Sequence, residues 1–178
     1  MRTALGSRIL KLFLYFESTR GANRMHRPYM NEDSELRARL MFESYARYTG
    51  KRLMEYDSNV HTAAEAIYNA PFVLLAHGAE SDPQLNFGNA RALSLWEMDW
   101  DTFTSMPSRL TAEPMERSVR DKLLADAKRQ GYSEGIRGIR VAKSGRRFEI
   151  IDVLLWNLVD EYGNYQGQAA VFDQWRYV

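Results

Sequence analysis

Between Arg146 and Val159 the chain carries apolar side chains at both odd and even positions. If the segment is a strand, Phe148, Ile150, Leu154, Trp156 and Leu158 share one face, and Ile151, Val153 and Leu155 share the other. A strand exposed on one side alternates apolar with polar, so this pattern demands cover on both faces. The chain must therefore supply two layers around one sheet. One layer is a set of helices within the domain. The other is an N-terminal helix from the same chain or a second subunit; the reading adopted is the N-terminal helix, with a homodimer sharing whatever apolar surface remains exposed.

The rest of the sequence supplies those layers. Asn31, Asp33 or Ser34 can cap a helix whose first turn holds Glu32 and Glu35. Leu36, Leu40, Met41, Ser44, Tyr45 and Tyr48 follow at helical spacing, and Thr49-Gly50 ends the run. A second short helix spans about Asn59 to Asn69, stopped by Pro71. Phe72–Ala76 and Gln84–Phe87 read as two strands. Helical turns occupy Asn89–Met98 and Trp100–Met106. Met115–Gln130 reads as a longer helix with Val119, Leu123, Leu124 and Ala127 inward and Gly131 beyond its end. Three meandering strands follow: Ser133–Ala142, Arg146–Val159 and Gly167–Trp175, the first two joined by Lys143-Ser144-Gly145.

Composition removes several chemistries. The absence of cysteine excludes disulfides, thiolate metal sites, cysteine nucleophiles and a flavin–cysteinyl photoadduct, and fits a cytoplasmic location. No apolar run reaches the roughly 20 residues that span a bilayer. Residues 1–30 hold six basic side chains and one acidic, leaving 18 basic and 22 acidic in the remainder. The body is mildly acidic and offers no nucleic-acid footprint. Residues 1–30 read as a basic extension outside the domain, with Met25 and Met30 as alternative starts; a basic amphipathic anchor around Ile9–Phe16 is the other reading. The division expected is an extension over 1–30, N-terminal helices over 31–70 and the sheet domain over 71–178.

Strand, strand, helices, then three strands is the PAS order. Short motifs carry a narrower likeness: Ser44-Tyr45-Ala46-Arg47-Tyr48-Thr49-Gly50, Ala76-His77-Gly78, Asp82-Pro83, Phe87-Gly88-Asn89 and Pro107-Ser108-Arg109. They continue through Ala112-Glu113-Pro114, Gly145-Arg146-Arg147-Phe148, Trp156-Asn157-Leu158 and Gly167-Gln168-Ala169-Ala170. In order and spacing, from about Leu36 to Phe172, the chain resembles the MEKHLA domain family. That resemblance implies an α+β, PAS-like five-stranded antiparallel sheet with helices inserted between its second and third strands, plus N-terminal helices. The family's name-giving hexapeptide, homeodomain and zipper have no counterpart here, so the role in plant transcription does not carry over. The resemblance supplies no catalytic residue.

The candidate ligand-binding residues are His77, Asn89, Trp96, Arg109, Glu113, Phe148, Leu154 and Trp156. Each has a plainer reading. His77 with Glu80 and Asp82 has the donors of a metal site, but an isolated histidine in a tight loop is more often just hydrogen-bonded, and no metal is assigned. Arg109 and Glu113 can grip a polar ligand or pair with each other as a brace. Asn89 suits the cap of the helix after it. Trp96, Trp100 and Trp156 suit stacking on a planar ligand, though aromatics at such spacing belong more often to a core. Non-covalent flavin, or another planar small molecule, stays open as a cofactor; haem is disfavoured because 115–130 has no histidine.

Three functions follow. The first is a stand-alone sensory module that binds a small molecule and signals through a partner protein. The second is a structural interaction domain whose core is filled. The third is a small enzyme using His77, Arg109 and Glu113, for which there is no Walker loop, dinucleotide fingerprint, nucleophile elbow or metalloprotease helix. Any pocket is expected between the strand face of Phe148, Leu154 and Trp156 and the helices flanking Arg109.

Overall fold

The computed structural model describes residues 27–178. Helix α1 (Glu32–Thr49) begins at Asn31, whose side-chain oxygen accepts from the Ser34 N–H at 2.8 Å. Helix α2 (Ala63–Tyr68) is shorter than its expected span and is capped by Thr62. The Glu35 carboxylate of α1 also accepts from the first N–H groups of α2, Ala63 at 3.3 Å and Ala64 at 2.9 Å. Strands β1 (Val73–His77) and β2 (Leu85–Gly88) come next. Helices α3 (Ala90–Trp96) and α4 (Trp100–Thr104) and a 3-10 turn at Ser108–Thr111 lead into α5 (Pro114–Gln130). Strands β3 (Tyr132–Val141), β4 (Arg147–Val159), β5 (Tyr165–Phe172) and β6 (Gln174–Tyr177) complete the order.

The sheet is antiparallel in the order β2-β1-β5-β4-β3. The fifth expected strand is broken at Asp173, so β6 counts as a sixth. It nevertheless keeps the register of β5 along β4: Leu154 faces Val171, and Ile151 faces Gln174. Helices α3, α4 and α5 lie between the second and third strands, and α1 and α2 precede the first, as the sequence order implies.

Both faces of β4 are covered within one chain. On one side Trp156 and Leu158 pack with Ala38 and Met41 of α1 and Ile67 of α2. Tyr45 meets the Trp156 ring edge-on at 5.2 Å. The Ser44 hydroxyl donates to the Val159 carbonyl and accepts its N–H, pinning α1 to the end of β4. On the other side Trp96, Phe103, Phe148, Ile150, Val153 and Leu155 form the second core. The α1 stripe is rotated from its expected position: Leu36 is 66% exposed, and Ser34, Ala38, Met41 and Ser44 are buried.

The face assignment of β4 needs a correction. In the pairing with β3, Ser133 faces Leu155 and Ile136 faces Val153, so β3 holds one extra residue. Gly138 then faces Ile150, so β4 holds the next extra one. That bulge carries Asp152 at φ 54°, a left-handed backbone. An extra residue reverses side-chain alternation. Phe148 and Ile150 therefore share a face with Val153 and Leu155, while Leu154 packs with Trp156 and Leu158 on the α1 side.

Tyr29 is buried and stacks on Tyr68 at 3.9 Å, and Arg27 pairs with Glu65 at 3.3 Å. Tyr29 and Arg27 thus contact Tyr68 and Glu65 of α2. The rest of the expected extension, residues 1–26, lies outside the described residues, and with it the amphipathic reading of Ile9–Phe16.

Candidate functional site

A cavity of about 60 Å³ lies between the second core's face of the sheet, the 3-10 turn and α5. Leu75, Trp96, Ile150, Val153, Leu155 and Phe172 supply apolar walls. His77, Ser108, Thr111, Arg120, Arg140 and Gln168 supply polar groups.

Arg120 is the least expected of these. It stands on α5, only 8% exposed. One terminal nitrogen donates to the buried Ser108 hydroxyl at 2.9 Å and the other to the Asp121 carboxylate at 3.2 Å. The Asp121 side chain is 64% exposed. The cation is therefore out of water while its counter-charge is largely in it. Burial pushes the guanidinium below its ordinary pKa, and Asp121 opposes that shift. A buried charge with weak compensation is costly.

His77 closes the cavity at the end of β1. Its Nδ1 lies 2.8 Å from the Gly78 carbonyl, so Nδ1 carries the proton and Nε2 is an acceptor. That Nε2 is buried without a protein partner. Burial lowers the His77 pKa and the charge on Arg120 adds to the shift, while the Gly78 carbonyl, Glu80 and the Gln168 side chain resist it. The indole N–H of Trp96, another cavity residue, is also buried without a partner. Two orphaned groups, one acceptor and one donor, thus accompany the buried cation.

Sheet register extends this polarity. His77 on β1, Gln168 on β5 and Asn157 on β4 stand opposite one another across three adjacent strands. The Gln168 amide donates to Asn157 Oδ1 at 3.1 Å and to the Leu124 carbonyl at 3.0 Å. The Asn157 amide donates to the Lys128 carbonyl at 2.9 Å. Two strand amides therefore hold α5 against the sheet. Gly167 makes room for this row: a Cβ there would lie 2.0 Å from the His77 carbonyl oxygen.

Of the residues expected at a site, the cavity brings together His77 and Trp96. Asn89 is a fully buried brace: its side-chain oxygen accepts from Leu74 and Ala92, and its amide donates to Phe72 at 2.7 Å. Arg109 and Glu113 do not pair with each other. Arg109 grips Asp82 through two bonds at 3.0 and 3.2 Å, and Glu113 pairs with Arg147, all on the surface. The donors His77, Glu80 and Asp82 do not converge; among the described residues no three such groups are placed to hold a metal ion. Phe148 is a core residue against Trp96, with ring centroids 5.1 Å apart. Leu154 and Trp156 lie on the opposite face of the sheet because of the Asp152 bulge.

Arg120 and Gln168 escaped the sequence reading, although signals for both exist. Arg120 lies three, four and seven residues before Leu123, Leu124 and Ala127, a charge on an apolar helical stripe. Val119, read as inward, is 55% exposed, so the stripe is turned by one residue. Asn157 is an amide within the apolar run Val153–Val159, and Gln168 is a buried amide beside Ala169 and Ala170.

Strand order and helix insertion define a PAS-like domain. Solved structures agree on the fold. The PAS domain of a protein from Colwellia psychrerythraea has a TM-score of 0.55 at 14% identity, covering 65% of this chain and 92% of that one. The light-state dimer of the fungal blue-light photoreceptor Vivid has a TM-score of 0.57 at 13% identity, covering 82% of this chain and 98% of that one. A light-oxygen-voltage domain studied with a flavin analogue has a TM-score of 0.53 at 14% identity, covering 68% and 88%. Within this class the sequence is specific: the MEKHLA domain model matches residues 35–177, and the chain belongs to the MEKHLA domain family. No curated protein matches it in sequence. No helix among the described residues is long and apolar enough to cross a membrane.

A flavin fits this cavity poorly. Small-molecule sites commonly enclose about 300–1,000 Å³, against about 60 Å³ here. Trp96 and Phe148 are already packed on each other.

Proposed function

We propose that this domain is a PAS-like sensory module that binds a small, polar molecule in the cavity beneath α5. One observation carries the reading: Arg120 is buried at a cavity that also holds the unpartnered His77 Nε2. A core evolved only for packing would fill that position with a leucine or methionine at lower cost. Arg120 sits on α5, so occupancy is felt directly by a helix that Gln168 and Asn157 hold to the sheet. Transmission to a partner protein, or across a homodimer, would start from that helix.

A second reading, a structural interaction domain with a filled core, is favoured by the cavity's small volume. Mass spectrometry of the denatured full chain, with its absorbance spectrum before denaturation, separates the two. The ligand reading expects a small molecule released in stoichiometric amount from wild type and not from Arg120→Met. Its absence, together with no stabilisation by any small polar compound, would favour the filled core.

A further inference from the structure

We infer that the cavity takes a small hydroxy-carboxylic acid, its carboxylate on the Arg120 guanidinium and its hydroxyl donating to His77 Nε2. This rests on the reading of the cavity as a ligand site and names the ligand's chemistry.

Charge sets the first requirement. Arg120 is buried, with a neutral hydroxyl and one mostly solvated carboxylate as its recorded partners. A guanidinium presents donors in a planar fork that matches a carboxylate. The indole N–H of Trp96 adds a neutral donor without a protein partner. A single anionic group would complete this set. Arg140 also lines the cavity, and its guanidinium donates to the Ile139 carbonyl at 2.9 Å.

His77 sets the second requirement. With its proton committed to the Gly78 carbonyl, the ring offers only a lone pair at Nε2. Burial, the largest influence, and the nearby Arg120 charge both act against a second proton; the Gly78 carbonyl, the Glu80 charge and the Gln168 side chain act for it. A neutral imidazole acceptor calls for a ligand donor, and a carboxylate has none. A hydroxyl beside the carboxylate supplies it.

Volume sets the third. Each water-sized position needs roughly 10–15 Å³, so about 60 Å³ holds an acid of two or three carbons. Ile150, Val153 and Leu155 leave an apolar wall for one methyl group. Glycolate and lactate meet all three conditions.

Calorimetric titration of the full chain with glycolate, lactate, acetate and glycolamide tests this. Glycolate or lactate should bind about tenfold tighter than acetate, the worth of one buried hydrogen bond. Glycolamide, isosteric but uncharged, should bind at least about tenfold more weakly than glycolate. Arg120→Met should abolish acid binding. His77→Asn, which removes Nε2, should bring the hydroxy acids down to the level of acetate. If Arg120→Met does not melt cooperatively, the wild-type preference for glycolate over glycolamide decides. Equal binding of acetate and glycolate, equal binding of acid and amide, binding that survives in Arg120→Met, or no binding of any acid would each overturn the inference. In that last case, a different molecule released from the denatured protein would leave the ligand-site reading standing. No released molecule and no binding would remove both.

Discussion

Arg109 and Arg120 differ in what their guanidinium groups meet. Arg109 carries the forked contact expected of a ligand clamp, but it spends that fork on Asp82, and both side chains are about half exposed. Such pairs contribute little, so Arg109→Ala should lower stability by less than about 1 kcal/mol in a denaturant titration. His77 titration offers a second check. Its pKa is lowered in the folded protein, chiefly by burial, so between the folded and unfolded values the unfolded chain binds more protons. Stability should therefore be greatest above the ordinary imidazole value of about 6.5, fall as the pH drops below it, and level off once the folded value is passed. Melting curves of wild type and His77→Asn between pH 7.5 and 5 should diverge in that direction; parallel curves would show that His77 has an ordinary pKa. At this scale the sequence was only partly legible. His77 and Trp96 could be picked out as rare, chemistry-bearing types. Arg120 could not be told from the other arginines until the inward stripe of α5 was located to within one residue.

The long apolar strand and its two layers of cover could be read directly, because alternation shows that both faces are buried whichever way each one points. Which side chain faces which layer could not, because a single extra residue at Asp152 exchanges the two faces. Only the polar Asp152 within the run Ile150–Leu155 hints at it. The bulge makes its own prediction. Asp152→Gly should be neutral or slightly stabilising, since glycine adopts a positive φ freely, whereas Asp152→Val should cost about 1–2 kcal/mol. Chemical denaturation of both variants checks it, and equal stability would mean that the backbone there is not left-handed. The cap at Asn31 and the polar Asn89 show the opposite case: both sit at helix starts where residue type alone announces the role, and the structure uses both as caps.

The described residues form a sheet held between the N-terminal helices α1 and α2 on one face and the helices α3 to α5 on the other. The N-terminal layer begins earlier than composition suggests. Truncation after residue 26 keeps the Tyr29–Tyr68 stack and the Arg27–Glu65 pair; truncation after residue 30 removes them. The longer truncation should be less stable than the shorter by about 1–2 kcal/mol, read from their melting midpoints, and identical midpoints would contradict the packing of Tyr29. The fold class, strand order and family were visible because they rest on element order and on motifs spread along the chain. The cavity was not, since it depends on how a helix and a bulged strand approach each other. The central claim is that Arg120 is kept at that cavity for a ligand and not for stability. The measurement that tests it most directly compares the unfolding free energy of wild type and Arg120→Met, both refolded into buffer free of small organic acids. A functional arginine predicts that the methionine variant is as stable as wild type or more so, because a poorly compensated buried charge has been replaced by an apolar side chain. A loss of about 2–3 kcal/mol would show instead that its bonds to Ser108 and Asp121 hold the fold together, and would contradict the account.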